Sequence, residues 1–266
     1  MTEPLLSVRG LTKRFGGLLA VDALDFDLYP GEILGVIGPN GAGKTTTFNV
    51  VAGRTPATAG AIALAGESIL GLPPHAIASR GLMRTFQHNM PFTGMSVLDN
   101  VLVGAHTRMT APLWQLILGF GRSHAEERHA RADAERMLDF VGLADLAAAD
   151  VASLSFGQGR LLEIARALAG KPRVILFDEP AAGLTPVEMA RLAEIVRGIS
   201  GRGISVLLIE HDMRFLLPLA QRVIVLKFGR KIADGAPGAI TRDPAVIEAY
   251  LGEGGGTAAR PAAARC

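Results

Sequence analysis

The run Gly38-Pro39-Asn40-Gly41-Ala42-Gly43-Lys44-Thr45-Thr46 carries the strongest chemical signal in the chain. It fits the pattern G-x-x-x-x-G-K-[ST], whose glycines let successive backbone N–H groups curl around phosphate oxygens. Lys44 is placed to reach the β- and γ-phosphates of a nucleotide, and the Thr45 hydroxyl to complete a magnesium shell. The same pattern can arise by chance as an ordinary glycine turn, so its flanks decide. Before it, Ile33-Leu34-Gly35-Val36-Ile37 reads as a strand buried on both faces. After it, Lys44 to Ala52 follows a helical pattern, and the helix beginning at Gly43 adds its positive N-terminal dipole to the loop. With both flanks in place, the chemistry implied is binding of ATP with Mg2+, followed by hydrolysis.

A second signal is Val174-Ile175-Leu176-Phe177-Asp178-Glu179-Pro180, two acids at the end of an apolar run. Adjacent acids are usually a solvated pair. Here four apolar strand residues precede them and a phosphate loop lies upstream, which places them at the carboxyl edge where open α/β sheets bind ligands. Their strand is expected to neighbour the phosphate-loop strand. Asp178 would hold magnesium, usually through water, and Glu179 would orient or deprotonate the attacking water.

The elements that must position these groups follow from periodicity. Alternation in Leu5–Arg9 and Val21–Leu28 predicts two strands, with a turn at Gly16-Gly17. Strands at Val174–Phe177 and Ser205–Ile209, separated by a helix over Pro186–Ile199, predict a parallel sheet with right-handed crossovers. From His88 to Val151 no strong strand stands out, and Ser123–Phe140 is charged helical sequence. The expected organisation is a core made of residues 1–87 and 152–251, a helical subdomain inserted at 88–151, and a tail at 252–266. That tail, rich in Gly and Ala, buries too little apolar surface to order itself.

Composition narrows the classes. A length of 266 residues suits one α/β unit with an insertion, and no internal repeat stands out. The formal net charge is only +2, with scattered Lys and Arg, so no footprint for nucleic acid is present. The single cysteine is Cys266, which excludes an internal disulfide or metal cluster and suits a reducing compartment. Met1–Arg9 lacks the apolar core of a signal peptide. The most apolar window, Ala111–Phe120, is about half of the roughly 20 residues needed to cross a bilayer. The mean hydropathy of +0.31 is nonetheless high, in part because of alanine and in part as expected of surface covered by a partner.

The remaining motifs make the chain resemble the ATP-binding-cassette (ABC) ATPases over nearly its whole length, from Leu5 to Leu251. Leu154-Ser155-Phe156-Gly157-Gln158 occupies the family's signature position, followed at the family's spacing by Ile164-Ala165-Arg166-Ala167-Leu168. The resemblance implies an α/β fold with a P-loop NTPase (RecA-like) core, an antiparallel β subdomain and an inserted α-helical subdomain. It also implies that Ser155, Phe156, Gly157 and Gln158 meet the γ-phosphate side of ATP held on an opposite subunit, so that two cassettes close face to face. A serine hydroxyl and glycine N–H groups at a helix start suit an anion, and a plain N-cap at Ser153 or Ser155 is compatible with that role.

By the same resemblance, Gln87 in Arg84-Thr85-Phe86-Gln87 joins core to helical subdomain and senses the γ-phosphate through the metal or the lytic water. His211, in Ile209-Glu210-His211-Asp212, matches the switch histidine that contacts the γ-phosphate. Ala181-Ala182-Gly183-Leu184-Thr185 corresponds to the loop that crosses the dimer interface, and Phe15 to the aromatic that stacks on adenine. Phe156 departs from the commonest family pattern, which has glycine there. An aromatic at this place marks the subclass serving branched-chain amino acids. The stretches Asp178–Leu184, Glu210–Met213 and Ala245–Gly252, with the insert near Trp114, resemble that subclass too.

The resemblance therefore implies an ATPase subunit powering import of branched-chain or related amino acids, peripheral on the cytoplasmic face of the cell membrane. Its implied partners are integral-membrane permease subunits, a second ABC ATPase subunit (the same chain or a sister) and, indirectly, a solute-binding protein outside the membrane. The permease-facing groove is expected near His88–Val103, where Met90-Pro91-Phe92 and Met95 offer adaptable apolar surface. Leu113–Phe120 suits either packing within the subdomain or contact with a membrane partner. Cassettes for urea, short amides or lipopolysaccharide share these motifs. A soluble ABC ATPase of translation or DNA repair usually carries two cassettes or a long coiled coil, neither of which occurs here. A sensor that binds without hydrolysing would not need both Glu179 and His211.

Overall fold

The computed structural model describes residues 3–85, 91–105 and 121–251. Gln87, the insert at Ala111–Phe120 and the tail 252–266 lie outside the described residues. Strands β1 (Leu6–Phe15) and β2 (Leu18–Leu28) form a hairpin, and with β4 (Ala59–Leu64) and β5 (Glu67–Ser68) they make an antiparallel sheet in the order β2-β1-β4-β5. The hairpin turns at Gly16-Gly17 as expected but runs longer than the alternation suggested. Register shifts after Val8 and Leu11 interrupt its period, so the polar stretch Thr12-Lys13-Arg14 still belongs to β1.

The central sheet runs in the order β10-β9-β3-β8-β7-β6. Its strands are β3 (Ile33–Ile37), β6 (Leu82–Arg84), β7 (Val174–Asp178), β8 (Ser205–Ile209), β9 (Arg222–Lys227) and β10 (Arg230–Gly235). All adjacent pairs are parallel except β9 with β10. β3, β7 and β8 are buried at every position, because their odd and even residues enter two different cores. In β8, Val206 and Leu208 face the layer of helices, whereas Leu207 and Ile209 face the antiparallel sheet. This is why these strands read as unbroken apolar runs.

One expectation is corrected. β7 does not neighbour β3, because β8 lies between them and pairs with both. Two parallel strands joined through a crossover helix, here α6 (Pro186–Gly201), commonly lie side by side, and β8 fills the slot next to β7. The strand ends still coincide, since Asp178 is level with Ile209 and Ile209 with Val36. The acids and the phosphate loop therefore share one carboxyl edge, two strand spacings or roughly 10 Å apart.

Helices α1 (Lys44–Val51) and α2 (Pro74–Ser79) follow β3 and β5. Away from the sheet edge, α3 (Val97–Ala105) and α4 (Gly121–Val141) pack on α5 (Phe156–Ala169). Gly104 permits the close crossing of α3 and α5, since a Cβ there would come within 2.0 Å of the Arg166 carbonyl oxygen. The chain closes with α7 (Met213–Leu216), α8 (Pro237–Ile240) and α9 (Pro244–Leu251). No helix among the described residues is long and apolar enough to cross a membrane.

Candidate functional site

The phosphate loop leaves β3 and enters α1 through three residues with positive φ, Gly38 (148°), Gly41 (75°) and Gly43 (99°). A Cβ on Gly38 would lie 2.1 Å from the Leu226 carbonyl oxygen, and one on Gly43 would lie 2.4 Å from that of Ala20. Backbone from β9 and β2 thus presses on the loop from behind, and only glycine fits. Gly229 N–H, in the β9–β10 turn, donates to the Ala42 carbonyl and fixes the loop from the same side.

Gly43 occupies the N-cap of α1 and supplies no side-chain cap, so the first-turn N–H groups have no side-chain acceptor there. The Lys44 ammonium is buried and donates to the Gly38 carbonyl at 2.6 Å and the Pro39 carbonyl at 2.9 Å. Thr45 is exposed beside it. The loop is preformed as an anion cradle, with its cation held by the loop's own oxygens.

Asp178 is 1 % exposed, and its Oδ2 accepts from Arg84 Nη2 at 2.6 Å. The other guanidinium arm donates to Asn49 Oδ1 on α1 at 2.6 Å, tying β6, β7 and the phosphate-loop helix together. Asp178 Oδ1 is buried with no hydrogen-bond partner among the described residues. A buried carboxylate oxygen left over at the same sheet edge as the Thr45 hydroxyl suits a hard cation such as magnesium. Arg84 has this structural role although the sequence pointed only to its neighbour Gln87. The signal available was a cation within a strand, which demands a carboxylate when buried.

Glu179 adopts φ +49°, a left-handed conformation unusual outside glycine and frequent at functional sites. Its N–H donates to the Ile209 carbonyl, and its Oε2 lies 3.9 Å from Nδ1 of the exposed His211. Next to His211 is Glu210, which sequence reasoning quoted but gave no task. Its buried carboxylate accepts from the N–H of Ala181 at 2.8 Å and of His211 at 3.1 Å. Burial pushes its carboxyl above the ordinary range, while these backbone donors and His211 pull the other way. Glu210 thereby holds the loop after the acids and the loop of His211 on one anchor.

Ser155 is the N-cap of α5 in a reciprocal capping box. Its Oγ accepts from Gln158 N–H at 3.2 Å, and its own N–H donates to Gln158 Oε1 at 2.9 Å. The N-cap expected at Ser155 is present, and the Gln158 side chain is engaged within its own chain. Phe156 is half-exposed and lies against Gly183, in the loop that follows the acids. Phe15 closes β1, opposite Leu18 on the strand whose Ala20 abuts the phosphate loop; the residue is 48 % exposed, with the Lys13 ammonium 4.6 Å from its ring centroid.

A cavity of about 490 Å³ opens between the core and the helices, lined among others by Ala52, Arg54, His75, Phe92, Val103 and Arg166. Phe92 and Val103 belong to the groove expected near His88–Val103, of which residues 88–90 lie outside the described residues.

A family model described as ABC transporter matches residues 21–182, and one described as Branched-chain amino acid ATP-binding cassette transporter matches residues 230–255. The chain is 42% identical over 254 residues to the high-affinity branched-chain amino acid transport ATP-binding protein LivG of Escherichia coli (strain K12), covering 95% of this chain and 100% of that protein. It is 36% identical over 249 residues to the lipopolysaccharide export system ATP-binding protein LptB of Acidithiobacillus ferridurans, covering 94% and 97%. Among solved structures, the ADP conformation of MJ1267, an ATP-binding cassette of an ABC transporter, superposes with a TM-score of 0.82 at 32% identity, covering 94% of this chain and 100% of that one.

Proposed function

The chain belongs to the ABC transporter family of ATP-binding subunits, and from that premise we propose how its residues divide the hydrolysis of ATP and what that hydrolysis drives. Lys44 exchanges the carbonyls of Gly38 and Pro39 for the β- and γ-phosphates, while backbone N–H groups of Pro39–Thr46, proline excepted, surround the phosphate oxygens. The geometry behind this is the loop already curled around its own lysine, so that binding replaces contacts without rebuilding the backbone.

Thr45, Asp178 and Gln87 are the residues that would hold magnesium, whose charge would offset that of the phosphates. Asp178 keeps one oxygen for that task because Arg84 occupies only the other. Glu179 orients or deprotonates the lytic water, and His211, held beside it through Glu210, meets the γ-phosphate. Phe15 stacks its exposed ring on adenine. The Ser155 hydroxyl and the backbone of Phe156, Gly157 and Gln158 complete the site of a second cassette, the same chain or a sister, so each ATP is shared by two subunits.

The cavity between core and helices is the docking place of an integral-membrane permease subunit, which puts the chain peripherally on the cytoplasmic face of the membrane. Its wall is mostly apolar, with Arg54, Arg166 and His75 set among Ala52, Phe92 and Val103. Closure of two cassettes on ATP would move that wall, and hydrolysis would let it relax. A solute-binding protein outside the membrane contributes only through the permease.

The solute is a branched-chain amino acid. The observation that carries this is the match of residues 230–255 to branched-chain cassettes, joined to 42% identity to LivG over 95% of the chain. The test is uptake of labelled leucine, isoleucine and valine by a strain deleted for this chain and complemented with it or with its Glu179→Gln variant. Uptake restored only by the parent chain is expected. Restoration of urea uptake or lipopolysaccharide export in its place overturns the assignment.

A further inference from the structure

Phe156 stands where the resemblance leads one to expect glycine, and its ring is turned toward its own chain. It rests on Gly183 so closely that a Cβ there would sit 3.1 Å from Cε1, 3.5 Å from Cζ and 3.9 Å from Cδ1. Gly183 itself has φ +80°, so both the backbone and the ring above it call for glycine. One turn along α5, the largely buried Arg160 sets its guanidinium carbon 5.3 Å from the ring centroid. The ring is therefore held between Arg160 and Gly183 while about half of the residue, 52 %, remains exposed.

A second contact lies one residue further on. Gly157 faces Glu188, whose Oε1 would be 2.1 Å from a Cβ at that position. Glu188 is also the partner of Thr185 in the capping box of α6, accepting from the Thr185 N–H at 2.8 Å. Two adjacent signature residues thus abut the segment Gly183–Glu188. That segment follows Glu179 by three residues, among which the Ala182 N–H donates to the Glu179 carbonyl and the Ala181 N–H to the Glu210 carboxylate. Close contacts of this kind transmit displacement, because packed groups have no free volume to absorb it.

We propose that the Phe156–Gly183 contact is a latch within one protomer, joining the surface that completes a partner's ATP site to the protomer's own hydrolytic loop, so that the two sites of a dimer are coupled. The inference rests on the shared-site reading above and assigns Phe156 as a positioning residue. Closure of the signature on the partner's nucleotide pushes the ring against Gly183 and sets Glu179. Loss of the ring leaves closure possible but breaks the relay.

The test uses the full chain. Steady-state ATP hydrolysis is measured against ATP concentration for the parent, Phe156→Ala, Phe156→Tyr, Gly183→Ala and the Phe156→Ala/Gly183→Ala double variant. ATP-driven dimerisation is followed by light scattering in a Glu179→Gln background with and without Phe156→Ala. The latch predicts that Phe156→Ala lowers kcat about tenfold and brings the Hill coefficient to about one. The ATP concentration for half-maximal dimerisation should stay within about twofold, and Phe156→Tyr, which keeps the ring, should recover most of kcat. Gly183→Ala should cost less on the Phe156→Ala background than in the parent, because the clash with the ring is gone and only the backbone strain at φ +80° remains.

Parental kcat and cooperativity in Phe156→Ala overturn the latch, as do additive losses in the double variant. Dimerisation weakened in step with kcat also overturns it, because the ring would then act on the partner's nucleotide. A parent that hydrolyses ATP without dimerising sinks the shared-site reading, and the latch with it.

Discussion

Helices α1 and α5 both present an N-terminus to phosphate in the proposed reaction, and they are prepared for it in opposite ways. α1 starts at Gly43 with no side-chain cap, so no side chain of its own occupies the helix start. α5 starts at Ser155 inside a complete capping box, its side-chain groups satisfying each other. The difference teaches which half of a shared site must be ready alone. The cradle receives nucleotide within one chain, and no side chain caps its helix start in competition with the ligand. The signature works only when a second cassette arrives, so its shape must be formed beforehand by its own bonds.

The comparison breaks most severely at Lys44. Lys44→Ala removes the cation of the open half, and ATP hydrolysis should fall by about a hundredfold or more, measured by phosphate release. Near-parental turnover would remove the basis for the cradle. Next in size, His211→Ala should lower kcat on the order of tenfold while ATP affinity, read by nucleotide-analogue fluorescence, stays within about threefold. A loss confined to affinity would show that His211 belongs to binding.

On the signature side, Ser155→Ala deletes the cap and should cost about 1 kcal/mol of stability, seen as a lower urea midpoint at unchanged slope. ATP-driven dimerisation should weaken as well, whereas nucleotide binding by the isolated chain should not. Equal weakening of monomer binding would erase the distinction between the two helix ends. The smallest effect is expected at Phe15. Phe15→Ala should raise the ATP concentration for half-maximal rate about fivefold with kcat little changed, as fits a stacking contact of about 1 kcal/mol.

Local features were readable from the chain itself. The phosphate loop is contiguous, and its strand, glycines, lysine and helix are where the pattern put them, because each is set by neighbours in sequence. The acids at Asp178 and Glu179 were equally visible, but their placement beside the phosphate-loop strand was wrong, since strand order depends on which crossover fills which slot. Arg84 and Glu210 went unassigned for a related reason. Their partners lie 94 and 29 residues away in sequence, and a hydrogen bond between distant segments leaves no local periodicity. The early end predicted for β1 has another cause: its irregular register breaks the alternation that defines a strand on paper.

By itself the sequence determined which groups could do chemistry: a loop that cradles phosphate, two acids after a buried strand, a histidine after the next, and a signature helix with its cap. These depend on residue type and short spacing, which obey the periods of strand and helix. Tertiary structure alone decided how the groups are held. It placed β8 between the loop and the acids, gave Asp178 one oxygen to Arg84 and left the other, hung two loops on Glu210, and laid Phe156 on Gly183. Those choices come from close packing and the need to satisfy buried polar groups, and both act between residues that the chain brings together only by folding.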